Sequence, residues 1–161
     1  MAKKIKDVEP PTGISRILWR IPIFLYRIGL GWLLGHRFLL LNHRGRKSGL
    51  YRKAVIEVVK FDHEAGFYYV VSGFGPRSDW YQNVIAHPDV TIQVGSKKMK
   101  ARGEKVPLTV TEEILLDYSI RHPGALKTLS RILGYAIDEC EADVRFMASI
   151  VPMIRFEQKE Y

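Results

Sequence analysis

Two short runs hold most of the side chains in this sequence that could do chemistry. The first is Arg44-Gly45-Arg46-Lys47-Ser48-Gly49, with Arg52 and Lys53 just beyond. Two glycines let the backbone turn tightly and bring N–H groups close to an anion. Arg46, Lys47 and Arg52 add charge, and Ser48 adds a hydroxyl donor. A phosphate between two strands suits such a turn; a solvated basic hairpin loop is the plainer alternative. The second run is Ser72-Gly73-Phe74-Gly75-Pro76-Arg77-Ser78-Asp79-Trp80-Tyr81-Gln82-Asn83. Here a strand ends in a glycine-bearing loop that feeds a helix. Backbone N–H groups at the strand end could bond a planar heterocycle, with Trp80 as a wall and Asn83 bonding its edge or the loop. The plainer alternative is a loop-to-helix junction with Trp80 in the core.

Other chemistries lack their residues. There is no GxSxG elbow, no GxxxxGK[ST] phosphate loop and no HExxH pair. The histidines at 36, 43, 63, 87 and 122 show no ligand spacing. His87 and His122 each precede a proline and read as helix ends. Cys140 is the single cysteine, so neither an intrachain disulfide nor a cysteine zinc site can form. No metal site is expected.

The chain has 161 residues, enough for one domain with a real core, and 47% of them are hydrophobic. Its net charge of +8 is uneven. Residues 1–52 carry eleven Lys and Arg against two acids, Asp7 and Glu9, while the rest of the chain is nearly balanced. An anionic partner therefore belongs with the first third. Nucleic acid is not expected, because no reading module is recognisable.

The elements that must position the two runs read as follows. Residues 1–13 form a loose polar arm. Residues 14–36 form an amphipathic helical segment, too interrupted by Arg16, Arg20 and Arg27 to span a membrane. At helical spacing these arginines fall within about 40° of one another. A core helix with an arginine edge and an in-plane membrane-surface helix both fit. Residues 37–161 form the single main domain. Strands are expected at 38–42, 54–61, 67–73, 90–95, 99–106 and 150–158. Helices are expected at 79–87, from Thr109 or Thr111 to His122, at 124–135 and at 138–149. This pattern is a β-meander with an inserted helix, so an α+β antiparallel sheet or small barrel fits better than a doubly wound fold.

The runs LNHRGRKSGLYRKAV and YYVVSGFGPRSDWYQNVIAHPDVTIQVG together resemble the deazaflavin-dependent nitroreductase family. The shared pattern is a strand, GRKSG, an Arg three residues later, a Ser-ended strand, a W-x-x-N helix and a following strand after H-P. The resemblance implies a split β-barrel of the FMN-binding kind. It also implies the deazaflavin coenzyme F420, with hydride transfer to a quinone, nitroaromatic or unsaturated acceptor. Arg46, Lys47, Ser48 and Gly49 would hold the coenzyme phosphate, and Arg52, Lys53, Ala54, Val55 and Ile56 would continue that cradle. Val71, Ser72 and Gly73 would lie against the ring, with Trp80 and Asn83 closing the site. Tyr118 and Tyr135 are the candidates for substrate contact. A phosphodiester with an oligoglutamate tail suits the basic first third. No catalytic side chain is assigned, since the coenzyme carries the chemistry.

The same barrel with FMN is the runner-up, because an FMN phosphate would use the same turn. A non-enzymatic binder of lipid or cofactor at the membrane surface is the rival from another class. A cytoplasmic location is expected, with peripheral attachment to the inner face of the cell membrane as the sharper alternative, since some family members have membrane-associated N-terminal helices; a homodimer is left open by analogy.

Overall fold

The structure is a computed structural model that describes residues 1–7, 20–138 and 140–159. Its centre is a closed antiparallel barrel of six strands. These are β2 (Phe38–Arg44), β3 (Tyr51–Asp62), β4 (Phe67–Val71), β5 (Asp89–Val94), β6 (Lys97–Lys105) and β8 (Met153–Gln158). Around the barrel they run β2-β3-β4-β8-β6-β5. Two further two-residue strands, β1 (Lys3–Lys4) and β7 (Tyr135–Ala136), pair with each other. Part of the expected loose arm is thus held; residues 8–13 lie outside the described residues.

Period-two alternation closes the barrel, because it sends one face of each strand inward. β6 shows this most plainly: Met99, Ala101 and Gly103 are buried, with charged residues between them. Leu39, Leu41, Ile56, Val70, Ile92, Val94, Ile154 and Phe156 fill the interior. A second core lies outside the barrel. There Val59, Tyr69, Val71 and Met153 meet α3 (Leu108–Arg121), α4 (Ala125–Ile132) and α5 (Glu141–Ile150).

One end of the barrel is closed by α2 (Asp79–Ala86), whose Tyr81 and Val84 enter the interior core. The close approach at Gly103 seats it: a Cβ there would come within 2.5 Å of Val84. Antiparallel order brings the β2–β3 turn and the segment after β4 to this same end.

The α+β barrel expected from sequence is the observed fold, with small changes at element ends. β3 begins at Tyr51 because the β2–β3 hairpin stays paired up to Arg44 and Tyr51, through residues that read as a basic loop. The N-terminal segment is α1 (Ile21–Arg27) followed by a 3-10 turn at Gly31–Leu34. Tyr26 anchors it, with its hydroxyl donating to the Phe38 carbonyl at 3.0 Å. Residues 14–19, and with them Arg16, lie outside the described residues.

Candidate functional site

The basic turn is a shaped feature of the β2–β3 hairpin. Gly49 sits at φ 68°, a conformation that side chains with a Cβ rarely adopt. At Gly45 a Cβ would come within 2.7 Å of the Ser48 Oγ. The Gly49 N–H donates to the Gly45 carbonyl at 2.8 Å, and the Gly45 N–H to the Leu50 carbonyl at 2.8 Å. Ser48 Oγ accepts from the Leu50 N–H at 3.3 Å and keeps its own proton to donate.

The cations here divide into two groups. Arg46 is half-buried and tied to α2: its Nη1 donates to Asp79 Oδ1 at 3.1 Å and to Asn83 Oδ1 at 3.0 Å, and its backbone N–H donates to the same Asn83 oxygen at 2.9 Å. Arg44, Lys47, Arg52 and Lys53 are exposed and have no ion pair among the described residues. Among the described residues, four positive charges without a counter-charge thus surround one solvent-exposed turn, an arrangement that attracts anions.

Asn83 is buried and holds the turn to the helix; its Nδ2 lies 3.1 Å from His43 Nδ1. Sequence reading passed over His43 because its partner stands forty positions away. The only signal was its place on the inward face of β2, in step with Leu39 and Leu41. Trp80 is partly buried and packs on the interior core, edge-on to Tyr81 at 6.2 Å. The core reading of Trp80 therefore describes its packing.

The segment after β4 is built differently. The Ser72 N–H donates to the Pro152 carbonyl at 3.0 Å. Its hydroxyl donates to the Gly75 carbonyl at 2.7 Å, and its carbonyl accepts from the Gly75 N–H at 2.9 Å. All three polar groups of Ser72 are spent inside the fold. Val71 belongs to the outer core, and Gly73 lies beside Leu129 of α4.

Between these segments runs the upper half of β3. β4 pairs with β3 only from Val58 downward, so, among the described residues, 51–57 are paired on the β2 side alone. Lys53, Val55, Glu57 and Val59 share its outward face. Lower down, α3 covers this face. Tyr118 donates to Glu57 Oε1 at 2.6 Å, Arg37 Nε donates to the same oxygen at 3.1 Å, and Arg121 donates to the Val59 carbonyl at 2.9 Å. Burial first, then the hydrogen bond to Glu57, raise the Tyr118 phenol well above its usual range. Higher up, Lys53 is exposed and Ala54 and Val55 are half-buried, while Ile56 turns into the barrel. An exposed to half-buried stretch of β3, Arg52 to Val55, thus adjoins the cationic turn. Tyr135 is half-buried, with its ring edge-on to Phe146 at 5.2 Å. No hydrogen bond or ring contact among the described residues joins Tyr118 or Tyr135 to the basic turn.

A cationic glycine turn on a six-stranded barrel coincides with a family match. The model of the F420H(2)-dependent quinone reductase family fits residues 27–119, more than half of the chain. The chain belongs to this family. A Mycobacterium tuberculosis protein, Rv3178, which carries F420H(2)-dependent quinone reductase as a provisional name, is 33% identical over 78 residues. That alignment takes in 47% of this chain and 64% of the relative, less than two thirds of its length. Among solved structures, an F420-H2 dependent reductase, FDR-A, superposes with a TM-score of 0.52 at 20% identity, over 76% of this chain and 96% of that one. A Clostridium acetobutylicum protein of the pyridoxinephosphate oxidase family superposes with a TM-score of 0.53 at 6% identity, over 85% and 84%. At these identities the likeness shows the fold, a split barrel shared by this family and its neighbours.

Proposed function

We propose that this protein is an F420-dependent oxidoreductase that reduces an apolar electrophilic acceptor, a quinone first, with nitroaromatic and unsaturated compounds in the same class. One observation carries the reading: four cations without an ion pair among the described residues, Arg44, Lys47, Arg52 and Lys53, ring a glycine turn next to a stretch of β3 that β4 does not pair. A coenzyme with a phosphodiester and a carboxylate tail fits that charge, and a flat ring fits the strip beside it. When bound, F420 supplies hydride chemistry.

The chain's own residues bind, orient and enclose. Lys47, Ser48 and the backbone at Gly49 would hold the phosphate, with Arg46 as the fixed side of the cradle. Arg52 and Lys53 would meet the tail, and Lys53 to Ile56 would run along the ring. Val71, Ser72 and Gly73 would form the opposite wall; Ser72 acts there by shaping the loop through Gly75. Trp80 and Asn83 would close the end from α2. Tyr118 would bound the lower edge through Glu57, its proton already committed. Tyr135 keeps its assignment to substrate contact as a proposal.

Titration with F420 and with FMN tests this. Tight F420 binding with weak FMN binding is expected, followed by turnover of a soluble quinone with reduced F420. Tight FMN binding without F420 binding would transfer the reading to the flavin alternative.

A membrane-surface contact is proposed for the N-terminal segment. Ile21, Phe24, Ile28, Trp32 and Leu33 are each at least half exposed, with Arg20 and Arg27 exposed on the same segment. No helix among the described residues is long and apolar enough to cross a membrane. Apolar side chains flanked by arginines suit an anionic lipid surface, where an apolar acceptor would also reside. Co-sedimentation with anionic vesicles is expected, and is expected to fall on Phe24→Ser with Trp32→Ser. A cytoplasmic location facing that membrane and a homodimer complete the proposal; light scattering of the full chain tests the dimer.

A further inference from the structure

We propose that His43 is a positioning residue for the anion-binding turn, acting through Asn83 on the backbone of Arg46; the inference rests on the coenzyme reading above.

The hydrogen bonds orient this cluster without ambiguity. Two groups of Arg46 reach the Asn83 amide, the backbone N–H and Nη1, and both can only donate. The amide atom facing them is therefore Oδ1. The other amide atom, Nδ2, can only donate, and it faces His43 Nδ1 at 3.1 Å. His43 Nδ1 must accept, so the ring is neutral and carries its proton on Nε2. His43 is 3% exposed. Burial, and then the charge of Arg52, push its pKa down to about 4, against a smaller opposing effect of Asp79. The charged groups around it are Arg52 on β3, Asp79 on α2 and, beyond Asn83, Arg46 of the turn.

The relay runs from β2 through α2 to the turn. His43 fixes which way the Asn83 amide points, and that amide fixes the Arg46 backbone. A flipped amide would aim an N–H₂ at two donors and release the turn. Neutral His43 also keeps a further positive charge from stacking behind Arg46 and Arg52. A side chain of similar volume without an acceptor cannot do this. Asparagine can, since its Oδ1 stands near where Nδ1 stood.

The test uses the full chain as wild type, His43→Leu and His43→Asn. F420 dissociation constants and hydrogen exchange of the Arg46 amide are measured, with thermal midpoints alongside. His43→Leu is expected to weaken F420 binding about tenfold, the worth of one well-made hydrogen bond, and to speed Arg46 exchange. His43→Asn is expected to restore both, even where the two variants share a lowered midpoint. Equal loss in both variants, or unchanged Arg46 exchange in His43→Leu, would overturn the proposal. Absence of F420 binding by the wild type would remove the coenzyme reading, and the Arg46 exchange comparison would still decide the role of His43.

Discussion

Two glycine-bearing turns sit at the same end of this barrel and are built to opposite rules. The β2–β3 turn leaves the side chains of Lys47, Ser48 and Arg52 exposed, while Arg46 is tied back to α2. The turn after β4 spends every polar group of Ser72 on its own fold. Yet sequence presents them alike, as a strand end followed by small residues and an arginine. What separates them is where the hydrogen-bond partners stand. The inward turn finds them in Gly75 and Pro152. The outward turn has a surplus of donors, because α2 supplies only Asp79 and Asn83. A surplus of charged donors marks a place for a ligand; a closed account of neutral ones marks a scaffold.

The comparison breaks most easily at the outward turn. Lys47→Ala with Arg52→Ala is expected to weaken F420 binding about a hundredfold or more, since each charge-assisted contact is worth roughly 1.5–3 kcal/mol. The thermal midpoint should hold, because both side chains are exposed and have no ion pair among the described residues. Unchanged affinity would leave the turn a solvated hairpin. Arg46 is the poorer target, since its loss also frees Asn83.

A second expectation concerns pH. The unfolded His43 ring takes up a proton near 6.5, and the folded ring only near 4. Between these values the unfolded state alone binds the extra proton. The stability due to neutral His43 is therefore complete above the unfolded value and is lost as pH falls towards the folded one, by up to about 3 kcal/mol. Denaturant midpoints of wild type and His43→Asn over that window check this; parallel curves would refute it.

The smallest effect tests the inward turn. Ser72→Ala removes one of two donors to the buried Gly75 carbonyl, which keeps the Ser78 N–H at 3.3 Å, at a cost of about 0.5–1.5 kcal/mol in stability. F420 affinity should fall only about threefold, because the hydroxyl shapes the wall through Gly75 and does not itself meet the coenzyme. A large affinity loss with little loss of stability would reverse the roles assigned to the two turns.

Strand periodicity made the barrel legible, since Leu39 and Leu41, Ile92 and Val94, or Ile154 and Phe156 announce an inward face directly. The same rule failed at Tyr51, Arg52 and Lys53, where charged residues continue a strand because the pairing with β2 outweighs their preference for a loop. The cationic turn was legible by composition. The Asn83 clamp was half legible, as a residue bonding either ring or loop. His43 was invisible, because the contact that defines it spans two elements far apart in the chain. That the Ser72 hydroxyl is taken up by Gly75 was not legible, because residue type does not show which partners a hydroxyl finds.

The one-sided pairing of upper β3 has a further consequence. A strand with a bare edge is a template that another chain can extend, and proteins commonly guard such edges with charge. Arg52 and Lys53 stand on that stretch, so the cations that would greet an anionic ligand also repel a second strand. A chain stripped of them should scatter light at concentrations where the native one stays clear.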